Sequence, residues 1–107
     1  MNIETRKTAG GANRRFSFAQ TQNDPFYFTS DVFAGKDATV VYNSNKTILK
    51  NEKKVEAIVY FWKDYKWTAH DIDLVKTDSL WTAKIAIPEN VALLDFKFYA
   101  GDKIDRG

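Results

Sequence analysis

Val55-Glu56-Ala57-Ile58-Val59-Tyr60-Phe61-Trp62, Leu80-Trp81-Thr82-Ala83-Lys84-Ile85-Ala86-Ile87 and Leu93-Leu94-Asp95-Phe96-Lys97-Phe98-Tyr99-Ala100 are three apolar runs separated by polar turns. In the second, Trp81, Ala83, Ile85 and Ile87 alternate with Thr82, Lys84 and Ala86, the period of two that marks a strand with one face in a core. In the third, Leu94, Phe96, Phe98 and Ala100 alternate with Asp95, Lys97 and Tyr99 in the same way. The first run is apolar on both faces from Ala57 onward, as a central strand is when its outer face is also covered or used. Val55, Ala57, Val59 and Phe61 then share one face, with Ile58, Tyr60 and Trp62 opposite.

Working outward, turn signals separate further short strands. Asn23-Asp24-Pro25 opens a strand beginning Phe26-Tyr27-Phe28. Gly35-Lys36-Asp37 turns the chain into Ala38-Thr39-Val40-Val41-Tyr42, rich in β-branched residues. Lys63-Asp64-Tyr65-Lys66 and Thr77-Asp78-Ser79 are polar turns on either side of a run in which Ile72 and Leu74 alternate with acidic residues. Six strands are expected, at 26–33, 38–43, 55–62, 70–76, 80–87 and 93–100. Between them, 47–54 reads as a short helix or, in preference, as a loop that tucks Ile48 or Leu49 under the sheets. No long amphipathic helix pattern appears, so the fold class is all-β, an antiparallel sandwich.

The 107 residues make a single domain, and 15% aromatic content with five Gly and two Pro is that of a globular chain. Residues 1–19 read either as a flexible tail or as a hairpin, with Ala9-Gly10-Gly11-Ala12-Asn13 turning between Thr5-Arg6-Lys7-Thr8 and Arg15-Phe16-Ser17-Phe18-Ala19; the sandwich occupies 20–107. Ser17-Phe18-Ala19 resembles the end of a secretory signal peptide but has no apolar segment before it. Arg14-Arg15-Phe16-Ser17 matches a basophilic kinase site, a string short enough to arise by chance.

Charge and composition exclude several functions. Sixteen Lys and Arg against fourteen Asp and Glu give +2, and four of the cations sit in the first fifteen residues, so the rest is near neutral and lacks a nucleic-acid footprint. Without cysteine there is no thiol redox pair, disulfide or thiolate metal site. No apolar run reaches the roughly 18 to 20 residues of a membrane-spanning helix. His70 is the single histidine, and no serine elbow accompanies it, so it reads as a surface or strand-start residue rather than a catalytic base. Asp71-x-Asp73 could pair on a metal, but alternate positions on a strand beside Ile72 and Leu74 give the same pattern without one, and the Asp102/Asp105 pair lacks the spacing of a calcium loop. No catalytic residue, cofactor or metal is expected. Trp81, on a clean alternating face, reads as core. Trp67 follows a polar turn, where a large ring either packs back on the strand edge or meets a ligand.

The order Val59-Tyr60-Phe61, Asp64-Tyr65-Lys66-Trp67, His70-Asp71, Leu74, Lys76-x-Asp78, Trp81-x-Ala83, Ile87-Pro88, Leu94, Phe96-Lys97-Phe98, Gly101-Asp102 and Asp105-x-Gly107 resembles the immunoglobulin-like early-set domains. It is most similar to the N-terminal module ahead of thioredoxin-like domains in envelope proteins of Gram-negative bacteria. The resemblance covers 55–107 closely and 38–49 loosely. It implies a non-catalytic accessory or partner-docking module of a larger extracytoplasmic protein, in the periplasm or at the cell surface.

A more distant likeness is to the glycogen- and starch-binding early-set modules. There Trp67 and Lys97 match a sugar-stacking tryptophan and a hydrogen-bonding lysine, with Trp62 or Tyr65 beside them, which implies an α-glucan ligand. Lys103 and Ile104 stand where those modules carry a second stacking aromatic. Early-set sandwiches also end in one more strand beside 96–100, for which 103–107 is too short. The resemblance therefore implies a sandwich without its last strand, its open edge filled by the segment around Phe16 and Phe18 or by an edge-strand homodimer.

Overall fold

The computed structural model describes residues 2–6, 15–16, 20 and 23–105. It is an all-β sandwich of antiparallel sheets. In chain order the strands are β1 (Asn2–Arg6), β2 (Arg15–Phe16), β3 (Phe26–Phe28), β4 (Val32–Phe33), β5 (Asp37–Tyr42), β6 (Glu56–Lys63), β7 (Lys66–Ile72), β8 (Val75–Thr77), β9 (Leu80–Ala86), β10 (Leu93–Ala100) and β11 (Lys103–Asp105). One sheet runs β4-β2-β1-β10-β6-β7 with β11 also on β10; the other runs β3-β5-β9-β8. No helix among the described residues is long and apolar enough to cross a membrane.

The three apolar runs become β6, β9 and β10, and their alternation is the burial pattern. Ala57, Val59 and Phe61 of β6 and Leu94, Phe96, Phe98 and Ala100 of β10 face inward, against Val40 and Tyr42 of β5 and Trp81, Ala83 and Ile85 of β9. Leu49 is fully buried while Ile48 is exposed, so of the two candidates in the 47–54 loop the leucine fills the space under the sheets.

Six strands are expected and eleven are present among the described residues, for a definite reason. The expected strand at 26–33 is two: β3 lies in the four-stranded sheet, β4 in the other. The expected strand at 70–76 divides likewise, β7 ending at Ile72 in one sheet and β8 starting at Val75 in the other. Phe26, Phe28 and Val32 are all buried, as is Ile72, and Leu74 packs against the core. A chain crossing between two sheets that face the same core keeps its even positions inward, so the period of two runs straight through the break. β7 also starts four residues earlier than expected, because Asp64 and Tyr65 take φ values of 53° and 63° and close a two-residue hairpin that pairs Lys63 with Lys66.

The edge of β10 expected to stand open is shared by two short partners. Asn2, Ile3 and Glu4 of β1 pair with Asp95, Leu94 and Leu93, while Lys103, Ile104 and Asp105 pair with Ala100, Tyr99 and Phe98. The terminal strand expected to be missing therefore forms, in abbreviated form. Gly101, at φ 57°, makes the tight turn that lets three residues double back. Phe16 does not reach β10; it pairs with Thr5 on the far side of β1 and is buried. Phe18, the 9–13 turn, Ser17-Phe18-Ala19, Arg14 and Gly107 lie outside the described residues.

The two sheets are held together at one end by Tyr42. Its ring stacks on Phe98 at 4.0 Å between centroids, and its phenol donates to Asp105 Oδ2 at 2.7 Å with Thr47 Oγ1 at 2.9 Å. Burial pushes the phenol above its ordinary 10.0; Thr47 offsets part of this and the Asp105 carboxylate adds to it. The folded chain thus keeps its proton where the unfolded chain releases it. That contribution to stability is complete below pH 10 and is lost as pH rises through the folded value. Tyr42→Phe keeps the stack and is expected to cost about 1 to 2 kcal/mol at neutral pH in chemical denaturation. The variant should also lose less stability than the parent above pH 10, which denaturation at stepped alkaline pH would measure.

Candidate binding face

The seven-stranded sheet has an outer face on which β7, β6 and β10 line up side chains in rows. Trp67 is paired with Trp62 and Trp62 with Leu93; Ala69 with Tyr60 and Tyr60 with Asp95; Asp71 with Ile58 and Ile58 with Lys97. Glu56, Tyr99 and Ile104 complete a fourth row. Every one of these is half-buried or exposed. Ile58, Tyr60 and Trp62 were read from the sequence as the second apolar face of β6; the hairpin and β10 extend it into a surface with Trp67, Leu93 and Tyr99. Leu93, Tyr99 and Ile104 were not singled out as site residues. The signal that finds them is register, since each is the cross-strand neighbour of an outward aromatic or aliphatic side chain.

Trp67 lies within β7 and not in the turn before it. Its ring is 5.4 Å from that of Trp62, tilted by 56°, and it remains 44% exposed. The indole packs on its strand neighbour Trp62, as the first of the two sequence alternatives has it, and the rest of the ring is open to solvent. Tyr65, at the tip of the hairpin, is 94% exposed. Asp64 and Tyr65 both hold left-handed backbone without being glycine, which costs about 1 to 2 kcal/mol per residue. The hairpin therefore carries strain that presents an aromatic ring to solvent next to the tryptophan pair.

Lys97 shares the outer face but not the location. It lies two strands across and four residues along from Trp67, about 16 Å between Cα positions at roughly 3.3 Å per residue and 4.8 Å per strand. Its Nζ sits 5.2 Å from the centre of the Tyr99 ring, on the side away from the tryptophans. Trp67 and Trp62 form one pair, with Tyr65 standing out in solvent at the hairpin tip beyond them, and Lys97 with Tyr99 forms another. A single sugar ring cannot touch both.

The other sequence candidates resolve separately. His70 Nε2 is 3.0 Å from Thr68 Oγ1, its ring 4.9 Å from Phe61, at an exposed end of the inner face. Asp71 is on the outer face, and Asp73 in the crossover to β8. Asp105 accepts the Tyr42 hydrogen bond. Among the described residues no group of His, Asp or Glu is arranged to hold a metal ion. A recess of about 440 Å³ opens between the sheets beside Tyr42, Phe26, Phe96 and Phe98, with Pro25, Lys46 and Ile48 among its lining. Its aromatic walls are all buried and packed on one another.

Compared with known protein families, with curated proteins and with solved structures, the chain matches none.

Two substitutions separate strain from packing. Tyr65→Gly relieves the left-handed cost at a site with almost no burial to lose, less the entropy glycine adds to the unfolded chain, and is expected to raise stability by about 0.5 to 1 kcal/mol. Trp67→Ala is expected to cost about 1 to 2 kcal/mol, below the roughly 3 to 5 of a fully buried tryptophan. Urea denaturation of each variant checks both values.

Proposed function

We propose that this domain is a non-catalytic docking module whose contact surface is the outer face of the seven-stranded sheet, serving as an accessory part of a larger extracytoplasmic protein of the thioredoxin family. The observation that carries the docking half is the Trp67–Trp62–Leu93 row with Tyr60 beside it. Contiguous apolar surface anchored by Trp and Tyr is where association energy concentrates, because those side chains bring large area with few rotatable bonds. Charged neighbours, Asp71, Asp95, Lys97 and Glu56, lie beside and beyond the aromatic rows and suit a rim. The host protein and its compartment rest on the early-set resemblance of 55–107.

The test compares amide spectra of the chain alone with those of the complete gene product. Shift differences gathered at Ile58, Tyr60, Trp62 and Trp67, and abolished by Trp62→Ala with Trp67→Ala, are the expected result. A gene product that ends at Gly107, or differences confined to the opposite sheet, would remove the accessory-module reading.

Trp62, Trp67 and Tyr65 together favour one second reading, an α-glucan-binding module. Since Lys97 is out of reach of a ring stacked on Trp67, a glucan would have to span several residues of sugar to engage both. With about 0.5 to 1.5 kcal/mol per aromatic contact and about 1.5 to 3 for a charged hydrogen bond, set against immobilisation, affinity is no tighter than about millimolar. On this reading a maltooligosaccharide of several units shifts amides at Trp67 and Lys97 together, whereas maltose shifts those at Trp67 only. No shifts at tens of millimolar of the longer sugar would leave docking as the sole reading.

A further inference from the structure

The outer edge of β7 has no strand beside it among the described residues, along all seven positions from Lys66 to Ile72. In this it differs from the other edges. The free side of β3 is occupied by Gln20, whose Oε1 accepts from Phe28 N and whose Nε2 donates to Phe28 O, each at 2.8 Å, as a neighbouring strand would. β8 is three residues long and β4 two. The second edge of β10 is taken by β1 and β11. Capping, shortness and sharing are the ways sheets avoid pairing with other chains. β7 uses none of them. It contains no Pro or Gly, and its register with β6 is one to one from Lys66 to Ile72, without a bulge. Its middle, Trp67-Thr68-Ala69-His70, has no Lys, Arg, Asp or Glu.

We propose that β7 pairs antiparallel with β7 of a second copy, about a two-fold axis perpendicular to the sheet at Ala69. Ala69 is the midpoint of the strand, so this is the one symmetric register in which all seven residues find a partner; centring on Thr68 or His70 pairs five. It sets Thr68 opposite the partner's His70, Trp67 opposite the partner's Asp71 and Lys66 opposite the partner's Ile72, with no like charges facing. The exposed part of Trp67 gains a neighbour in the partner's Asp71. Two seven-stranded sheets become one continuous sheet, and both tryptophan rows point the same way. The pairing depends on the backbone edge and stands whether or not the outer face docks another protein.

Mass measured by light scattering from micromolar to millimolar concentration tests this, with circular dichroism confirming each variant's fold. The expected result is a concentration-dependent rise to twice the chain mass, with amides of 66–72 becoming slower to exchange as the dimer forms. Trp67→Asp, which faces two carboxylates against each other at both ends of the ladder, should weaken the dimer about tenfold, since the two-fold doubles each cross-strand effect. Trp67→Lys should keep it, by pairing opposite charges. A single-chain mass at millimolar concentration overturns the proposal. So do Trp67→Asp and Trp67→Lys acting alike, which would point to association through the aromatic face, and a dimer whose amide protection falls outside β7.

Discussion

The contact on which the rest depends is the aromatic packing between the two sheets. Phe26 and Phe28 of the four-stranded sheet meet Phe96 of the other at 4.7 and 5.8 Å, Phe26 meets Phe98 at 5.1 Å, and Tyr42 lies flat on Phe98 at 4.0 Å. Aromatic pairs of this kind add about 0.5 to 1.5 kcal/mol each to the area they bury. They matter more here because β3 is only three residues long and, among the described strands, pairs with β5 alone. Its own ladder is too small to hold it, so its two phenylalanines fix it to the opposite sheet. Asp105 then ties β11, an equally short strand, to Tyr42 across the same gap.

Short strands that depend on side-chain packing explain how the chain treats its edges. β10 is the longest element of its sheet together with β6, and its outer edge is divided between a piece from each end of the chain. Neither piece could stand alone, since a two-stranded ribbon of three residues buries too little. Both survive by adding to a strand already held by β6 and by the phenylalanine cluster. Gln20 closes the free side of β3 with a side chain in place of a strand. β7 is the exception, held along one side by β6 and, among the described residues, without a strand on the other.

The same geometry concentrates the chemistry of the surface. A central strand that is apolar on both faces, β6, must present its second face to something. The tight hairpin at Asp64-Tyr65 brings Trp67 beside Trp62, and the antiparallel pairing with β10 adds Leu93 and, further along, Tyr99. The result is an aromatic platform at one end of the sheet and a Lys97–Tyr99 pair at the other. The single histidine shares a hydrogen bond with Thr68 on the inner face of the same strand.

Taken alone, the residues determined the all-β class, the inward faces of β6, β9 and β10, the core role of Trp81 and the surplus apolar face of Ile58, Tyr60 and Trp62. All of these follow from alternation, which is a local property of the chain. They did not determine where a strand changes sheets, because residues 26–33 and 70–76 keep their even positions inward on both sides of the crossing. Nor did they determine that Lys97 and Trp67 stand apart on one face, since that distance is set by which strands pair and in what register. Whether an edge is covered depends on chain segments distant in sequence, Asn2 to Glu4 and Lys103 to Asp105 for β10 and Gln20 for β3. Only the assembled sandwich decides it.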